Sequence, residues 1–262
     1  MTETFDARWL ALREPVDHRS RPSALLSPLA AWLREKPAFQ VLDLGSGRGS
    51  NLRYLSGRLP GQQHWIVLDH DAGLLADARS PARHVTVTPL VRDLRQPDSL
   101  PVAGADLVTA SALLDLVSEH WLAALADRCA ETRAAVLFAL NVDGEIDWQP
   151  GDPGDAALLD AFHAHHRRDK GFGPALGIHA AARASELFAR HGYTISRMPS
   201  PWQLTTADAP LREALCDGWV AAATEQRPEA AREFAAWHQR CPARGGTLRV
   251  GHVDVLALPP AR

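Results

Sequence analysis

Apolar residues in this chain fall into short runs. Between the runs they recur every three or four positions. That is the pattern of buried strands alternating with amphipathic helices. Val41, Leu42 and Leu44 form the first run, at residues 40–44. Leu52, Leu55 and Leu59 then share one face of a helix over 50–59, closed by Pro60 and Gly61. A second run, 64–68, ends at Asp69, and a helix over 71–79 follows with Leu74, Leu75 and Ala78 inward and Asp71 at its cap. Runs at 85–91, 105–110 and 134–140 predict strands three, four and five. Ser118 caps a helix over 119–130 that turns Trp121, Leu122, Leu125 and Cys129 inward. The fifth run is almost unbroken, as expected for a strand covered on both faces. Strands alternating with helices in this way predict a doubly wound, mostly parallel α/β sheet.

The flanks follow a different rhythm. Residues 4–14 read as a helix with Phe5, Trp9 and Leu12 on one face, ended by Pro15. A second helix over 23–36 buries Leu25, Leu26, Leu29, Trp32 and Leu33 and stops at Pro37. After strand five, residues 141–153 read as a loop holding Trp148, and 155–169 as a helix. A glycine-rich connection spans 170–177. A helix over 179–191 and strand six at 193–198 follow, with Gly192 as the helix cap. Trp202 lies in a short connection ahead of helices over 208–224 and 228–240, and a last strand runs over 247–258. The length fits one domain, 1–262, with a core at 37–140 and added segments at 1–36, 141–178 and 199–241.

The first strand runs into Gly45-Ser-Gly-Arg-Gly49 and then into a helix. Glycine lets the backbone take positive φ and approach a ligand closely, and a helix start offers unpaired N–H groups. The loop is therefore a seat for a polar cofactor. Its spacing is G-x-G-x-G, which departs from the dinucleotide fingerprint, and the Gly-Lys-Ser/Thr ending of the ATPase phosphate loop is missing. Asp69 follows about 20 residues later, at the end of strand two, where an acid can accept hydrogen bonds from both ribose hydroxyls. Asp93 closes the third run.

The segment 41–49, with Asp69 and Asp93 behind it, resembles the first motifs of class I S-adenosylmethionine (SAM) methyltransferases, over about residues 38–140. The resemblance implies a Rossmann-like sheet of seven strands, the last antiparallel beside strand six, with helical caps at both ends of the chain. It implies SAM as cofactor, leaving as S-adenosylhomocysteine. The loop would hold the amino-acid end of SAM, Asp69 the ribose and Asp93 the adenine amino group. The cofactor set carried over is Asp43, Gly45, Ser46, Gly47, Asn51, Asp69, His70, Asp93, Leu94 and Ser111. In many such enzymes leading helices cover the cofactor, so Asp17, His18, Arg19 and Arg21 are within reach of the site.

Composition narrows the acceptor. The net charge is −3 and no lysine–arginine block stands out, which argues against a nucleic-acid substrate on a basic face. The Asn/Asp-Pro-Pro-Tyr/Phe tetrad of enzymes that methylate a nucleobase amine or glutamine amide does not follow strand four. The added segments suit lids over a small-molecule acceptor, with Trp148, Trp202 and Trp219 as pocket residues. Cys129, Cys216 and Cys241 are far apart, so neither a disulfide framework nor a metal site is expected. Without a signal sequence or a run of 18 apolar residues, the expectation is a cytoplasmic monomer or homodimer with no membrane partner.

Methyl transfer needs alignment and exclusion of water, and a base only when the nucleophile must lose a proton. Asp115, beside the carboxyl edge of strand four, is one candidate. On the helix over 155–169, Leu158, Phe162 and His165 share a stripe, as do Leu159, Phe162 and His166, so the histidines continue an apolar face. His166 and then His163 are the candidate bases, under a lid over 163–179 hinged at Gly171 and Gly173. A non-catalytic SAM-binding regulator and an RNA methyltransferase are the alternatives. A bound acceptor pocket would argue against the first, and a basic face would favour the second.

Overall fold

The structure is a computed structural model and describes residues 6–80, 82–241 and 244–260. Among them, eight strands form one sheet in the order β3-β2-β1-β4-β5-β8-β6, with the short β7 also paired to β8. The strands are β1 (Ala38–Leu44), β2 (Gln62–Asp69), β3 (Val85–Val91), β4 (Leu107–Ser111), β5 (Ala135–Gln149), β6 (Thr194–Pro199), β7 (Trp202–Leu204) and β8 (Thr247–Leu258). β1 to β5 pair in parallel, and β8 runs antiparallel to β5, β6 and β7. Strand order reverses between β1 and β4, so their carboxyl ends open a crevice, the place where ligands bind in such sheets. The helices are α1 (Ala7–Ser20), α2 (Leu26–Leu33), α3 (Ser50–Ser56), α4 (Ala72–Leu75), α5 (Glu119–Thr132), α6 (Asp155–His166), α7 (Ala180–Arg190), α8 (Ala209–Gln226) and α9 (Ala231–Arg240).

The core divides by face. Leu25, Leu29, Leu33, Leu52, Leu55 and Trp65 pack on one side of the sheet. Trp121, Leu122, Leu125, Phe138 and Phe188 pack on the other. A third cluster, with Trp148, Leu158, Trp202, Leu211, Trp219, Phe234 and Trp237, lies under α6, α8 and α9 beyond the carboxyl ends of the strands. Each face buries large apolar side chains completely, which is the main drive for the layered packing.

Several elements differ from the sequence pattern. Helix α1 does not stop at Pro15 but continues to Ser20. Its far half is anchored, with Val16 and Asp17 buried and Asp17 paired to Arg13 at 2.9 Å, and that anchoring offsets the lost backbone bond. Phe5, expected on the inner face of this helix, lies outside the described residues. The helix expected over 23–36 is a short 3-10 turn followed by α2, and the helix expected over 71–79 contracts to the single turn of α4.

Residues 141–149 are not a loop. They prolong β5 along β8 with register shifts between Phe138 and Asn141 and between Val142 and Ile146. Asp143 and Gly144 form the second irregularity, where Asp143 Oδ1 accepts from the Glu145 N–H and Gly144 takes φ 89°. Ile146 and Trp148 already carried the alternation of a strand. Trp148 is core rather than pocket, stacked edge-on against Trp219 and Trp237 at 5.3 and 5.2 Å. Cys216 and Cys241 are joined by a disulfide that ties α8 to the end of α9, contrary to the expectation of unpaired cysteines. Sequence separation hid the pairing, because two antiparallel helices bring together residues 25 apart.

Candidate active site

The crevice at the carboxyl ends of β1, β2 and β4 is a chamber floored by the glycine loop and roofed by α1. Gly45, Gly47 and Gly49 take φ of 64°, 50° and 77°. A side chain at 45 would meet Leu113 at 3.4 Å and Leu94 at 3.7 Å, so the loop hugs an apolar slot. Ser46 secures the turn. Its hydroxyl donates to the Asp43 carbonyl at 2.7 Å and accepts from the Leu68 N–H at 3.0 Å. Asp69 ends β2 and holds the loop from the other side, accepting from the Gly47 N–H at 2.8 Å and the Asp71 N–H at 3.0 Å. The His70 ring lies 3.2 Å from the Asp69 carboxylate.

Asp43 is fully buried in the chamber wall. Its Oδ1 accepts from Asn51 Nδ2 at 2.7 Å, while Oδ2 has no hydrogen-bond partner. Burial pushes its carboxyl up to about 6. A buried carboxylate oxygen without a donor calls for one from a ligand, and an ammonium group supplies it. Asn51 is held in turn by Arg21, whose Nη1 donates to Asn51 Oδ1 at 2.6 Å. The Arg21 guanidinium also pairs with buried Asp254 of β8 at 3.2 Å. The opposite wall is apolar, with Leu74, Leu94, Leu113, Leu116 and Phe172. An anionic, hydroxyl-accepting end and an apolar end fit the amino-acid, ribose and adenine parts of SAM.

The expected contacts are not all equally placed. Ser111 and Leu94 line the chamber, and the Leu94 carbonyl accepts from Trp121 Nε1 at 2.6 Å. Asp93 lies two residues past the end of β3, exposed and ion-paired with Arg95, which holds its carboxyl below the usual range. Asn51 lines the chamber, but its side chain is spent on Asp43, Thr109 and Arg21. Of the leading-segment residues, Asp17 lines the chamber, and His18 reaches the Ser50 carbonyl at 3.0 Å at the start of α3. Arg19 turns away to pair with Asp208.

A second chamber, of about 410 Å³, opens beside the first, and Arg13, Ala112, Leu116 and Lys170 line both. That volume is within the range of small-molecule sites. Trp9, Phe162, Trp202 and Trp219 give it aromatic walls. The three candidate catalytic residues meet here. Asp115 Oδ2 accepts from His166 Nε2 at 3.0 Å, and His166 stacks on Phe162 at 5.6 Å. Asp115 Oδ1 and His166 Nδ1 are buried and have no hydrogen-bond partner. His163 lines the same chamber half-buried, and its pKa is lowered by burial and then by His166 and Arg167. His165 pairs with Glu225 at 3.2 Å.

The connection at 170–177 crosses the junction of the two chambers, where Lys170 and Phe172 face the first. It is pinned by Gly177 N–H to the Asp115 carbonyl and Leu176 N–H to the Val117 carbonyl, both at 2.9 Å. Gly171 and Gly173 take φ of 98° and 89°, with their N–H groups donating to Asp169 Oδ1.

Sequence reasoning missed His252 of β8 and the double role of Arg13. His252 sits in a strand whose neighbours are mostly apolar, and only its polar type among them marked it. Arg13 lay inside a helix read as cover for the cofactor, with no role of its own assigned. Among the described residues no group of His, Cys, Asp and Glu is arranged to hold a metal, and no helix is long and apolar enough to cross a membrane.

Residues 41–133 match the family model of a methyltransferase domain. No curated protein matches the sequence. Among solved structures, a provisionally assigned methyltransferase from Bacillus halodurans is similar at 13% identity and a TM-score of 0.53, over 91% of this chain and 98% of that one. It shares the fold. A SAM-dependent methyltransferase from Geobacter sulfurreducens, solved with S-adenosylhomocysteine, matches at 18% identity and a TM-score of 0.46, over 99% of this chain and all of the other.

Proposed function

We propose that this chain, a class I SAM-dependent methyltransferase by its core at residues 41–133, methylates a small molecule held in the second chamber. The observation that carries this reading is the junction: the glycine-loop chamber and the aromatic chamber share Arg13, Ala112, Leu116 and Lys170. Bound SAM supplies a methyl group on a sulfonium centre. The chain's part is to hold donor and acceptor on either side of that junction and to exclude water. Helices α1, α6 and α8 cover the acceptor side.

Asp43, Asp69, His70 and Ser111 form the polar wall for the cofactor, with Gly45, Ser46 and Gly47 as its floor and Leu94 in its apolar slot. Asn51 positions Asp43. Asp93 is the weakest of the set, because Arg95 already occupies its carboxylate. Asp115 fixes the proton of His166 on Nε2, so Nδ1 is the atom that can accept the acceptor's proton. Neutral His163 stands beside it. The segment 163–179 closes the junction between the chambers.

The test is transfer from methyl-labelled SAM to separated metabolite, protein and RNA pools. Label in the metabolite fraction is expected. Label confined to RNA or protein refutes the small-molecule reading.

A further inference from the structure

The second chamber contains a group with a fixed hydrogen-bonding role. His252 is buried in β8, and its ring lines the chamber. Its Nδ1 lies 3.0 Å from the Val250 carbonyl. A carbonyl oxygen only accepts, so Nδ1 carries the proton and Nε2 keeps its lone pair. Among the described residues, Nε2 has no hydrogen-bond partner. The Trp202 ring lies 4.9 Å away and holds the imidazole in place from one side. Burial pushes the ring's pKa down to about 4, with Arg13 adding to the shift, so it stays neutral at physiological pH.

The surroundings discriminate among ligands. Arg13, Lys170, Asp115 and Glu145 line the chamber, and with Arg13 paired to Asp17 and Glu145 to Arg249 its charges of both signs favour neither an anion nor a cation. Its aromatic walls could hold a cation, but Arg13 already lies over the Trp202 and Trp9 rings, at 5.2 and 6.0 Å. What remains unmet is a donor for Nε2 inside a chamber walled by flat rings. Resting on the reading of this chamber as the acceptor site, we propose that His252 selects the acceptor class, a planar aromatic molecule that presents a hydroxyl to Nε2. His252 is a specificity-determining residue in this scheme. It anchors the ring through that hydroxyl, whose one proton stays in the hydrogen bond to Nε2; the group that is methylated and gives its proton to His166 is a separate one.

The test uses stand-in ligands and needs no turnover. Binding of 2-naphthol, 2-methoxynaphthalene, 2-naphthoate and a trimethylanilinium salt is measured by ligand-observed NMR titration, with S-adenosylhomocysteine affinity measured separately by calorimetry. The naphthol is expected to bind about fivefold tighter than its methyl ether, the worth of one neutral hydrogen bond. His252→Leu should erase that preference, and His252→Gln, which keeps an acceptor oxygen at similar reach, should restore most of it. Equal binding of naphthol and ether to the unaltered protein overturns the inference. So does tighter binding of naphthoate or of the anilinium ion, or no binding of any of the four. If S-adenosylhomocysteine binds in those cases, the reading of the first chamber survives. If it does not bind, that reading falls as well.

Discussion

Replacing Arg21 by methionine tests the buried polar chain that ties the two ends of the sequence to the cofactor chamber. The Arg21 side chain is only 3% exposed and that of Asp254 2%. Arg21 donates to Asp254 and to Asn51, and Asn51 donates to Asp43. Removing one partner of a buried ion pair typically costs about 3–5 kcal/mol, because the other charge is left uncompensated. The lower end applies here, since Asp254 Oδ1 still accepts from the Leu140 N–H at 2.8 Å and the Ser200 hydroxyl at 2.6 Å. The expected loss is therefore about 3 kcal/mol, or about 6–12 °C in Tm for a chain of this size. Urea unfolding of Arg21→Met measures it. Arg21→Met combined with Asp254→Leu removes both charges and should recover at least half of the loss. The same single variant should weaken S-adenosylhomocysteine binding, because Asn51 loses the donor that holds it against Asp43. A stability change below about 1 kcal/mol together with unaltered ligand affinity would refute the account of the network.

Three further outcomes follow from the two chambers. Gly47→Val should abolish cofactor binding by calorimetry while the protein stays folded, because φ is 50° there and a Cβ would meet Leu10 at 3.4 Å. Asp43 carries a carboxyl raised from 3.8 to about 6, so its ionisation is penalised in the folded chain: the penalty is absent below pH 3.8, grows between 3.8 and 6, and is complete above. Its share is on the order of 3 kcal/mol, and Asp43→Asn should flatten the rise in ligand-free stability as pH falls from 6 to 4, while weakening S-adenosylhomocysteine at pH 7.5. Once an acceptor is in hand, His166→Ala should lower kcat at least tenfold and His163→Ala less, with cofactor affinity within twofold of the original; full turnover of both variants across pH 6 to 9 would leave this helix without an acid–base role.

What the sequence disclosed was local. The glycine loop, the acid closing β2 and the parallel strands could be read because each is specified by residues within about 25 positions of one another. The stripe of histidines on α6 was legible in the same way, and the structure brings His166 to Asp115, 51 positions away. Contacts without a periodic signature were not legible. Arg21 and Asp254 are 233 positions apart, and each alone looks like a surface charge. The Cys216–Cys241 pairing depends on how α8 and α9 pack. Pro15 and the stretch read as a loop over 141–153 misled for one reason: local preference pointed to a break, but tertiary contacts from Asp17 and from β8 outweigh it.

The division between legible and hidden residues follows the division between the two chambers. Most polar groups lining the first chamber come from residues 41–133, the stretch that matches the family model, with Arg13, Glu14, Asp17 and Lys170 added from outside it. Most of the second chamber comes from outside it: Trp9 and Arg13 of α1, Phe162, His163 and His166 of α6, Trp202 of β7, Trp219 of α8 and His252 of β8. Helix α1 couples the halves physically. Glu14 clasps Arg53 of α3 with two bonds of 2.6 Å, fixing α1 to the helix behind the glycine loop. Arg13, the residue before Glu14 and held by Asp17, lines both chambers, and Asp17 accepts from Trp202 Nε1 at 3.1 Å. The wall of the second chamber is thus bolted to the helix behind the glycine loop. Loosening the Glu14–Arg53 clasp, as in Glu14→Gln, would disturb both sites at once, whereas a change at His252 would act on the acceptor alone. On the proposed function, a common core could keep its donor chemistry while the appended segments set what is methylated.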